Sequence, residues 1–145
     1  MLDQSNANSS LARRPCSEAH PAAILAMKFM LVDDSATARA SITSILVSGG
    51  AEVVEFTDGQ EALAGFAAHR PDWVLMDLEM KQMDGFDATR QIKAKFPNAR
   101  IVILTSFNDD FLKAAALEAG AIGYVLKNDL SSIRRLIRKG AGPAA

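Results

Sequence analysis

Residues 73–77 of the chain read WVLMD, four apolar residues followed by a carboxylate. Short apolar runs of this kind recur along the chain, at Phe29–Val32, Val53–Phe56, Ile101–Leu104 and Tyr124–Leu126. Longer stretches with apolar residues at helical spacing lie between them. Glycine or proline stands at most of the boundaries, namely Gly49, Gly50, Pro71, Pro97, Gly120 and Gly123. The pattern predicts five successive strand–helix units.

Strands that alternate with single helices run parallel, with right-handed crossovers and helices on both faces of the sheet. The first, third and fourth runs are continuously apolar, whereas the second carries Glu52 and Glu55 and is therefore predicted at an edge. We predict an α/β fold, a flavodoxin-like, five-stranded parallel sheet, doubly wound as (βα)5 with strand order 2-1-3-4-5. The second helix presents Leu63, Phe66 and Ala67 at helical spacing.

Composition narrows the class of protein. The 145 residues carry a net charge of −1, with 49% hydrophobic and 23% charged residues, as expected for one compact domain. The near-neutral charge disfavours broad nucleic-acid binding. The sequence contains no apolar run of about 18 residues, the length that would predict a membrane span. One cysteine, Cys16, and two histidines, His20 and His69, give no zinc-type cluster. A cytoplasmic protein with oxygen-ligated metal chemistry remains open.

The chain is predicted to have three parts. Residues 1–27, rich in Ser, Asn, Ala and Pro, are expected to form a flexible N-terminal extension, residues 28–139 the folded domain, and residues 140–145 a short tail. A signal peptide is the alternative for the first part, because two arginines precede an apolar stretch, although charged residues interrupt that stretch. Met27 or Met30 as the natural start is a third alternative.

Polar side chains follow four of the predicted strands. Asp33 and Asp34 follow the first, Asp77 the third, Thr105 the fourth and Lys127 the fifth. In this strand order, the first and third strands are neighbours, and ligands bind beyond their carboxyl ends. Three carboxylates there repel each other by about 4 kcal/mol per pair at about 4 Å and a dielectric near 20. A divalent cation, Mg²⁺ or Mn²⁺, is the simplest remedy.

Asp77 ends the most central strand and can act as a nucleophile toward phosphorus, forming an acyl phosphate. Lys127 would offset charge on the phosphoryl oxygens, and Thr105 would donate a hydrogen bond to one of them. Taken singly, each residue has an ordinary explanation. Asp33 and Asp34 could cap the next helix together with Ser35, Thr105 could be a strand-end hydroxyl, and Lys127 could be a solvated loop lysine. Their joint placement favours phosphoryl transfer.

The segments FMLVDDS, VLMDLEMKQMDGFD, IVILTS and YVLK resemble the receiver domain of two-component response regulators. The likeness extends from Lys28 to about Lys139. It implies a phosphoryl site with Asp77 as phospho-acceptor, Thr105 as switch hydroxyl, Lys127 as phosphoryl contact and Tyr124 as switch aromatic. It also implies an Mg²⁺ site whose ligands are Asp34, Asp77, the backbone carbonyl of Glu79, and Asp33 through water or as a site-shaping carboxylate.

The resemblance also implies a function. The domain would accept its phosphoryl group from a sensor histidine kinase or a phosphotransfer protein and catalyse only its own phosphorylation and dephosphorylation. It would then switch the surface of the fourth helix, fifth strand and fifth helix, the α4-β5-α5 surface of the family, to regulate an unknown downstream protein. Since only GAGPAA follows Lys139, we expect a stand-alone receiver that binds neither DNA nor a membrane directly.

Two positions depart from the common receiver pattern. Asn128 follows Lys127 where many receivers have proline, often with a cis bond, so the resemblance does not extend to a cis peptide there. Glu79 lies two residues after the acceptor, where a negative side chain would repel phosphoryl oxygens, and we expect it to tune the lifetime of the phosphoryl group.

Three rival functions share parts of the pattern. A phosphohydrolase of the haloacid dehalogenase type also uses an aspartate nucleophile, but after its first strand. A flavodoxin-like electron carrier shares the fold, but Asp33 and Asp34 would repel a flavin phosphate. A receiver that is never phosphorylated is disfavoured, because no position of the site is missing.

Overall fold

The computed structural model describes residues 27–80, 83–129, 131–133 and 135. Strands and helices alternate along it, in the order β1 (Lys28–Val32), α1 (Ala36–Ser48), β2 (Glu52–Phe56), α2 (Gly59–His69), β3 (Trp73–Asp77), α3 (Gly85–Lys95), β4 (Ile101–Thr105), α4 (Asp110–Ala119) and β5 (Gly123–Leu126). Residues 131–133 and 135 are helical and belong to the predicted fifth helix. The rest of that helix, the tail at 140–145 and residues 1–26 of the predicted extension lie outside the described residues.

All four strand pairings are parallel, and the sheet order is β2-β1-β3-β4-β5. This confirms the predicted α/β fold and strand order. The register places the carboxyl ends of β3, β4 and β5 side by side. Asp77 of β3 pairs with Leu104 of β4, and Thr105, which follows Leu104, pairs with Leu126 of β5. The residue after Leu126 is Lys127, and its backbone N–H donates to the carbonyl oxygen of Thr105 at 2.8 Å.

The hydrophobic core consists of two clusters. They are separate because successive side chains along a strand point to opposite faces of the sheet. Met30 and Val74 belong to one cluster, and their neighbours Phe29 and Trp73 belong to the other. Each fully buried large apolar side chain contributes about 1.5 to 3 kcal/mol. Strands β1, β3 and β4 are almost entirely buried, whereas Glu52 and Glu55 are exposed on the edge strand β2.

Each helix from α1 to α4 is preceded by a capping residue whose side chain accepts a hydrogen bond from a backbone N–H of the first turn. These residues are Ser35, Asp58, Asp84 and Asp109. In α2, Ala62 and Phe66 are buried, Leu63 is partly buried and Ala67 is exposed. The inward face of α2 therefore lies about one residue earlier than the apolar spacing suggests. None of the helices in the described ranges has the length and hydropathy of a membrane span.

Candidate functional site

Three carboxylates meet at the carboxyl edge of the sheet, where β1 and β3 are hydrogen-bonded neighbours. Asp33 and Asp34 follow β1, and Asp77 is the last residue of β3. One carboxylate oxygen from each lies within 4.8 Å of the other two. Asp33 and Asp77 are 0% and 1% exposed, so their charges receive almost no direct hydration. The structure therefore brings together the three acidic residues that the sequence places at strand ends.

Lys127 lies between two of these carboxylates. Its Nζ atom is 2.9 Å from Asp33 Oδ2 and 2.9 Å from Asp77 Oδ1. Burial alone would lower the pKa of Lys127, but its hydrogen bonds to Asp77 and Asp33 and the negative charges of both residues together raise the pKa above its ordinary value. The side chain is consequently held as an ammonium ion beside both carboxylates.

Burial disfavours the charged form of the Asp77 carboxyl group. Burial, with a smaller contribution from the charge on Asp33, raises the pKa of Asp77 from 3.8 to about 6, against the opposing hydrogen bond from Lys127. The backbone N–H of Glu79 donates to Asp77 Oδ1 at 3.3 Å and favours the ionised form. A further positive charge in the cluster would therefore favour the ionised form of Asp77.

The loop after β1 fixes the orientation of Asp33. Asp33 Oδ1 accepts the backbone N–H of Ser35 at 2.8 Å, and Arg39 donates to the carbonyl oxygen of Asp33 at 2.7 Å. The Ser35 hydroxyl oxygen accepts the N–H of Ala38 and so caps α1. The capping role that the sequence left open between the aspartates and Ser35 belongs to Ser35, with Asp33 supporting the turn.

Gly85, the first residue of α3, packs directly against the backbone of the site. A Cβ at this position would lie 2.5 Å from the carbonyl oxygen of Asp77 and 3.0 Å from Leu78 Cα. The N–H of Gly85 also donates to the Leu78 carbonyl oxygen at 3.2 Å. This close approach is a feature of the site that sequence reasoning did not identify. A glycine next to an aspartate is the signal that could have suggested it.

Thr105 is buried at the end of β4. Its hydroxyl donates to Glu79 Oε2, and its oxygen accepts the backbone N–H of Phe107 at 3.1 Å. Glu79, in contrast, is exposed. This pairing of Thr105 with Glu79 is the contact that sequence reasoning missed, since 26 residues separate the two.

Tyr124 lies in the edge strand β5 and is partly buried against the core. Its hydroxyl donates to the backbone carbonyl oxygen of Phe107, and Lys113 Nζ lies 5.9 Å from the centre of its ring. Tyr124 and Thr105 are therefore both bonded to the loop between β4 and α4, through the main chain of one residue.

The acidic cluster fits a hard divalent cation. Its donor atoms are carboxylate oxygens of three aspartates, and the ammonium group of Lys127 contacts two of them, Asp33 and Asp77. All-oxygen donor sets of this kind suit Mg²⁺ or Mn²⁺. The residues present could therefore hold such an ion.

The fold and this cluster define a class of doubly wound α/β domains with an acidic, lysine-containing site at the switch point of the sheet. The family model of the response regulator receiver domain matches residues 29–138. The chain belongs to this family of phosphorelay signalling domains.

Relatives and solved structures agree with this assignment. The response regulator protein VraR of Staphylococcus aureus is 42% identical over 105 residues, which cover 71% of this chain and 50% of that protein. The chain thus spans about half the length of the curated relatives it matches. A two-component response regulator of the LuxR family from Aurantimonas sp. SI85-9A1 is 34% identical, with a TM-score of 0.74 over 80% of this chain and 85% of that one.

A chain in the crystal structure of the CheX–CheY–BeF3–Mg²⁺ complex from Borrelia burgdorferi is also similar to this one. It is 25% identical to this one, with a TM-score of 0.75 over 80% of this chain and 90% of that one.

Proposed function

We propose that this domain accepts a phosphoryl group on Asp77, in an Mg²⁺-dependent reaction, from a sensor histidine kinase or a phosphotransfer protein. The observation that carries the proposal is the position of Lys127, whose ammonium nitrogen lies 2.9 Å from Asp77 Oδ1 within a cluster of three carboxylates. A lysine in this position can offset the negative charge of a phosphoryl group on Asp77.

The transfer is an in-line displacement at phosphorus. A carboxylate oxygen of Asp77 forms a bond to phosphorus while the bond from phosphorus to the donor histidine nitrogen breaks, and the electron pair of that bond leaves with the histidine. Lys127 stabilises the phosphoryl oxygens electrostatically, and Thr105 is proposed to donate its hydroxyl proton to one of them. Because the sheet holds Asp77 rigidly at the end of its central strand, little reorganisation is required.

The metal ligands are proposed to be Asp34, Asp77 and the backbone carbonyl of Glu79, with Asp33 bound through water or shaping the site as a carboxylate. When bound there, Mg²⁺ or Mn²⁺ would neutralise charge in the cluster and on the phosphoryl oxygens. The closeness of the three carboxylates, which each offer an oxygen within 4.8 Å of the others, supports this assignment.

Output is proposed to follow from the movement of two side chains. Thr105 turns toward the phosphoryl group, Tyr124 fills the space behind β4, and the surface formed by α4, β5 and the fifth helix changes. A downstream protein is proposed to read this surface in the cytoplasm, without direct contact to DNA or a membrane. Because half of each VraR relative lies outside the match, the stand-alone organisation expected from the sequence stays a prediction.

Intact mass spectrometry tests the proposal. After incubation with acetyl phosphate and Mg²⁺, the parent should gain about 80 Da, the mass of one phosphoryl group. Asp77→Asn should gain nothing. Asp110→Asn removes an exposed carboxylate at the start of α4 and should gain the same mass as the parent. Labelling of the Asp77 variant would refute the assignment of the acceptor.

The same samples discriminate the phosphohydrolase alternative and test the role of Glu79. Stoichiometric labelling followed by slow loss of the label is expected of a receiver, whereas sustained turnover of small phosphomonoesters would favour the hydrolase. We further propose that the Glu79 side chain tunes the lifetime of the phosphoryl group. Equal decay rates in the parent and Glu79→Gln would contradict this role.

A further inference from the structure

One peptide group joins Asp33 and Asp34, the two acidic residues that follow β1. The backbone N–H of Asp33 donates to the carbonyl oxygen of Phe56 at 3.1 Å, which continues the pairing of β1 with β2. The carbonyl oxygen of Asp33, which is part of the peptide group itself, accepts a hydrogen bond from Arg39 Nη1 at 2.7 Å. Arg39 therefore holds this peptide group from its carbonyl side.

Arg39 is in turn held by the edge strand β2. Its Nε atom donates to Glu55 Oε1 at 3.0 Å, and Glu55 Oε2 accepts the hydroxyl proton of Thr43 at 2.8 Å. The Arg39 side chain is only 18% exposed, although it lies on the first helix of the chain beside an edge strand. A guanidinium group presents its donors in a rigid planar fork, so it can bind a carboxylate and a carbonyl oxygen at the same time. These contacts fix the guanidinium group relative to β2.

The orientation of this peptide group affects the position of the Asp34 carboxylate. Because a peptide group is planar, the direction of the Asp33 carbonyl oxygen also sets the direction of the Asp34 N–H and the position of the Asp34 Cα atom. The Asp33 carboxylate is held by separate contacts, since it accepts the N–H of Ser35 at 2.8 Å and lies 2.9 Å from Lys127 Nζ. Rotation of the peptide group would therefore move Asp34 relative to Asp33.

We infer that Arg39 is a positioning residue for the metal site. By holding the peptide group between Asp33 and Asp34, it keeps the Asp34 carboxylate beside that of Asp77. The inference rests on the proposed metal ligands, and Arg39 itself touches none of their carboxylates in its printed bond to the main chain. Glu55, which the sequence marks only as an edge-strand charge, orients Arg39 from the other side.

The charge of Arg39 and its hydrogen bonds predict opposite effects on metal binding. A positive charge near a cation site repels the cation, so neutralising Arg39 would tighten metal binding if its charge alone mattered. If Arg39 positions Asp34, the same change weakens metal binding, because the ligand is no longer held in place. The sign of the change in affinity therefore separates the two effects.

Binding of Mn²⁺ to the full chain, without any phosphodonor, measures this sign. Free hydrated Mn²⁺ gives a sharp EPR spectrum that diminishes as the ion is bound, and added Mg²⁺ should release the ion if both compete for one site. Arg39→Gln removes the charge and the fork, whereas Arg39→Lys keeps the charge without the planar fork. Arg90→Gln is the matched control, because Arg90 also pairs with a carboxylate, that of Asp87 at 2.6 Å, but on the exposed surface of α3.

Arg39→Gln should raise the dissociation constant for Mn²⁺ about tenfold to a hundredfold, as expected when a residue that orients a metal ligand is removed. Arg39→Lys should also bind Mn²⁺ more weakly than the parent, by a smaller factor, and Arg90→Gln should bind it as the parent does. Circular dichroism shows whether each variant is folded, and Arg39→Lys decides the question if Arg39→Gln is not. The inference is overturned if Arg39→Gln binds Mn²⁺ as tightly as the parent or more tightly, or if Arg39→Lys retains the affinity of the parent.

A failure of this inference can be told from a failure of the proposed function. If the parent binds no Mn²⁺, the proposed metal site is wrong. If the parent binds Mn²⁺ and gains mass with acetyl phosphate while Arg39→Gln binds the ion equally well, only the positioning role is wrong.

Discussion

Replacing Asp77 by asparagine should stabilise the metal-free protein at about pH 8. In the folded chain, burial and the charge of Asp33 raise the pKa of Asp77 from 3.8 to about 6, in spite of the ion pair with Lys127. A shift of this size corresponds to about 3 kcal/mol of differential interaction, at 1.36 kcal/mol for each pKa unit. Asparagine removes the charge while its carbonyl oxygen can still accept a hydrogen bond from Lys127, so we expect a gain of about 2 to 3 kcal/mol.

The gain should depend on pH with a defined sign. The native protein retains the Asp77 proton up to about pH 6, whereas the unfolded chain releases it near pH 3.8. Unfolding between these two values releases a proton, so the free energy of unfolding of the parent falls as the pH rises through this window. The penalty is complete above the folded pKa. The difference between Asp77→Asn and the parent should therefore be small near pH 4 and largest at about pH 8.

Urea denaturation in the presence of EDTA measures this difference, at several pH values from about 4 to 8. Glu118→Gln serves as the control, since it removes an exposed carboxylate near the end of α4 and should change stability by less than about 0.5 kcal/mol. A variant less stable than the parent at the upper end of the pH range would refute the reasoning. A difference that does not change with pH would refute it equally.

Three further perturbations test the cluster and its support. Mg²⁺ at ten times its dissociation constant should raise the free energy of unfolding of the parent by about 1.4 kcal/mol, and urea titrations of Asp34→Asn should require more Mg²⁺ for the same gain. Lys127→Met removes the ammonium group that lies 2.9 Å from both Asp33 and Asp77. It should lower the free energy of unfolding by about 3 kcal/mol and abolish most of the phosphorylation rate, and unchanged stability would argue against the ion pairs. Gly85→Ala places a Cβ 2.5 Å from the Asp77 carbonyl oxygen. The free energy of unfolding, measured with heat or urea, should fall by about 2 kcal/mol, and labelling by acetyl phosphate should be slower. Values equal to those of the parent would show that α3 can move aside.

The strand order could be predicted because burial leaves a direct record in the sequence. A strand covered on both faces needs apolar residues at every position, as β1, β3 and β4 have, while the charges of Glu52 and Glu55 require water on the edge strand. Once the order is known, the residue after each strand is placed without knowledge of any side-chain rotamer. That is how Asp33, Asp77 and Lys127 could be assigned to one site.

Contacts that depend on rotamers and on the packing of helices could not be predicted in the same way. Glu79 follows β3 on a loop, and nothing in its spacing indicates that its side chain turns to Thr105. The closeness of Gly85 to Asp77 depends on how near α3 approaches the sheet. The exposure of Ala67 shows the same limit, because a small apolar residue leaves the rotation of a helix poorly determined.

Phe107 contributes to the connection between Thr105 and Tyr124 only through its amide N–H and its carbonyl oxygen. Its aromatic side chain is 55% exposed and takes no part in either hydrogen bond. Any substitution here that keeps the main chain in place can therefore change the exposed surface and leave both hydrogen bonds intact. Evolution is free to vary the side chain at this point of the loop while the main-chain connection between β4 and β5 is kept.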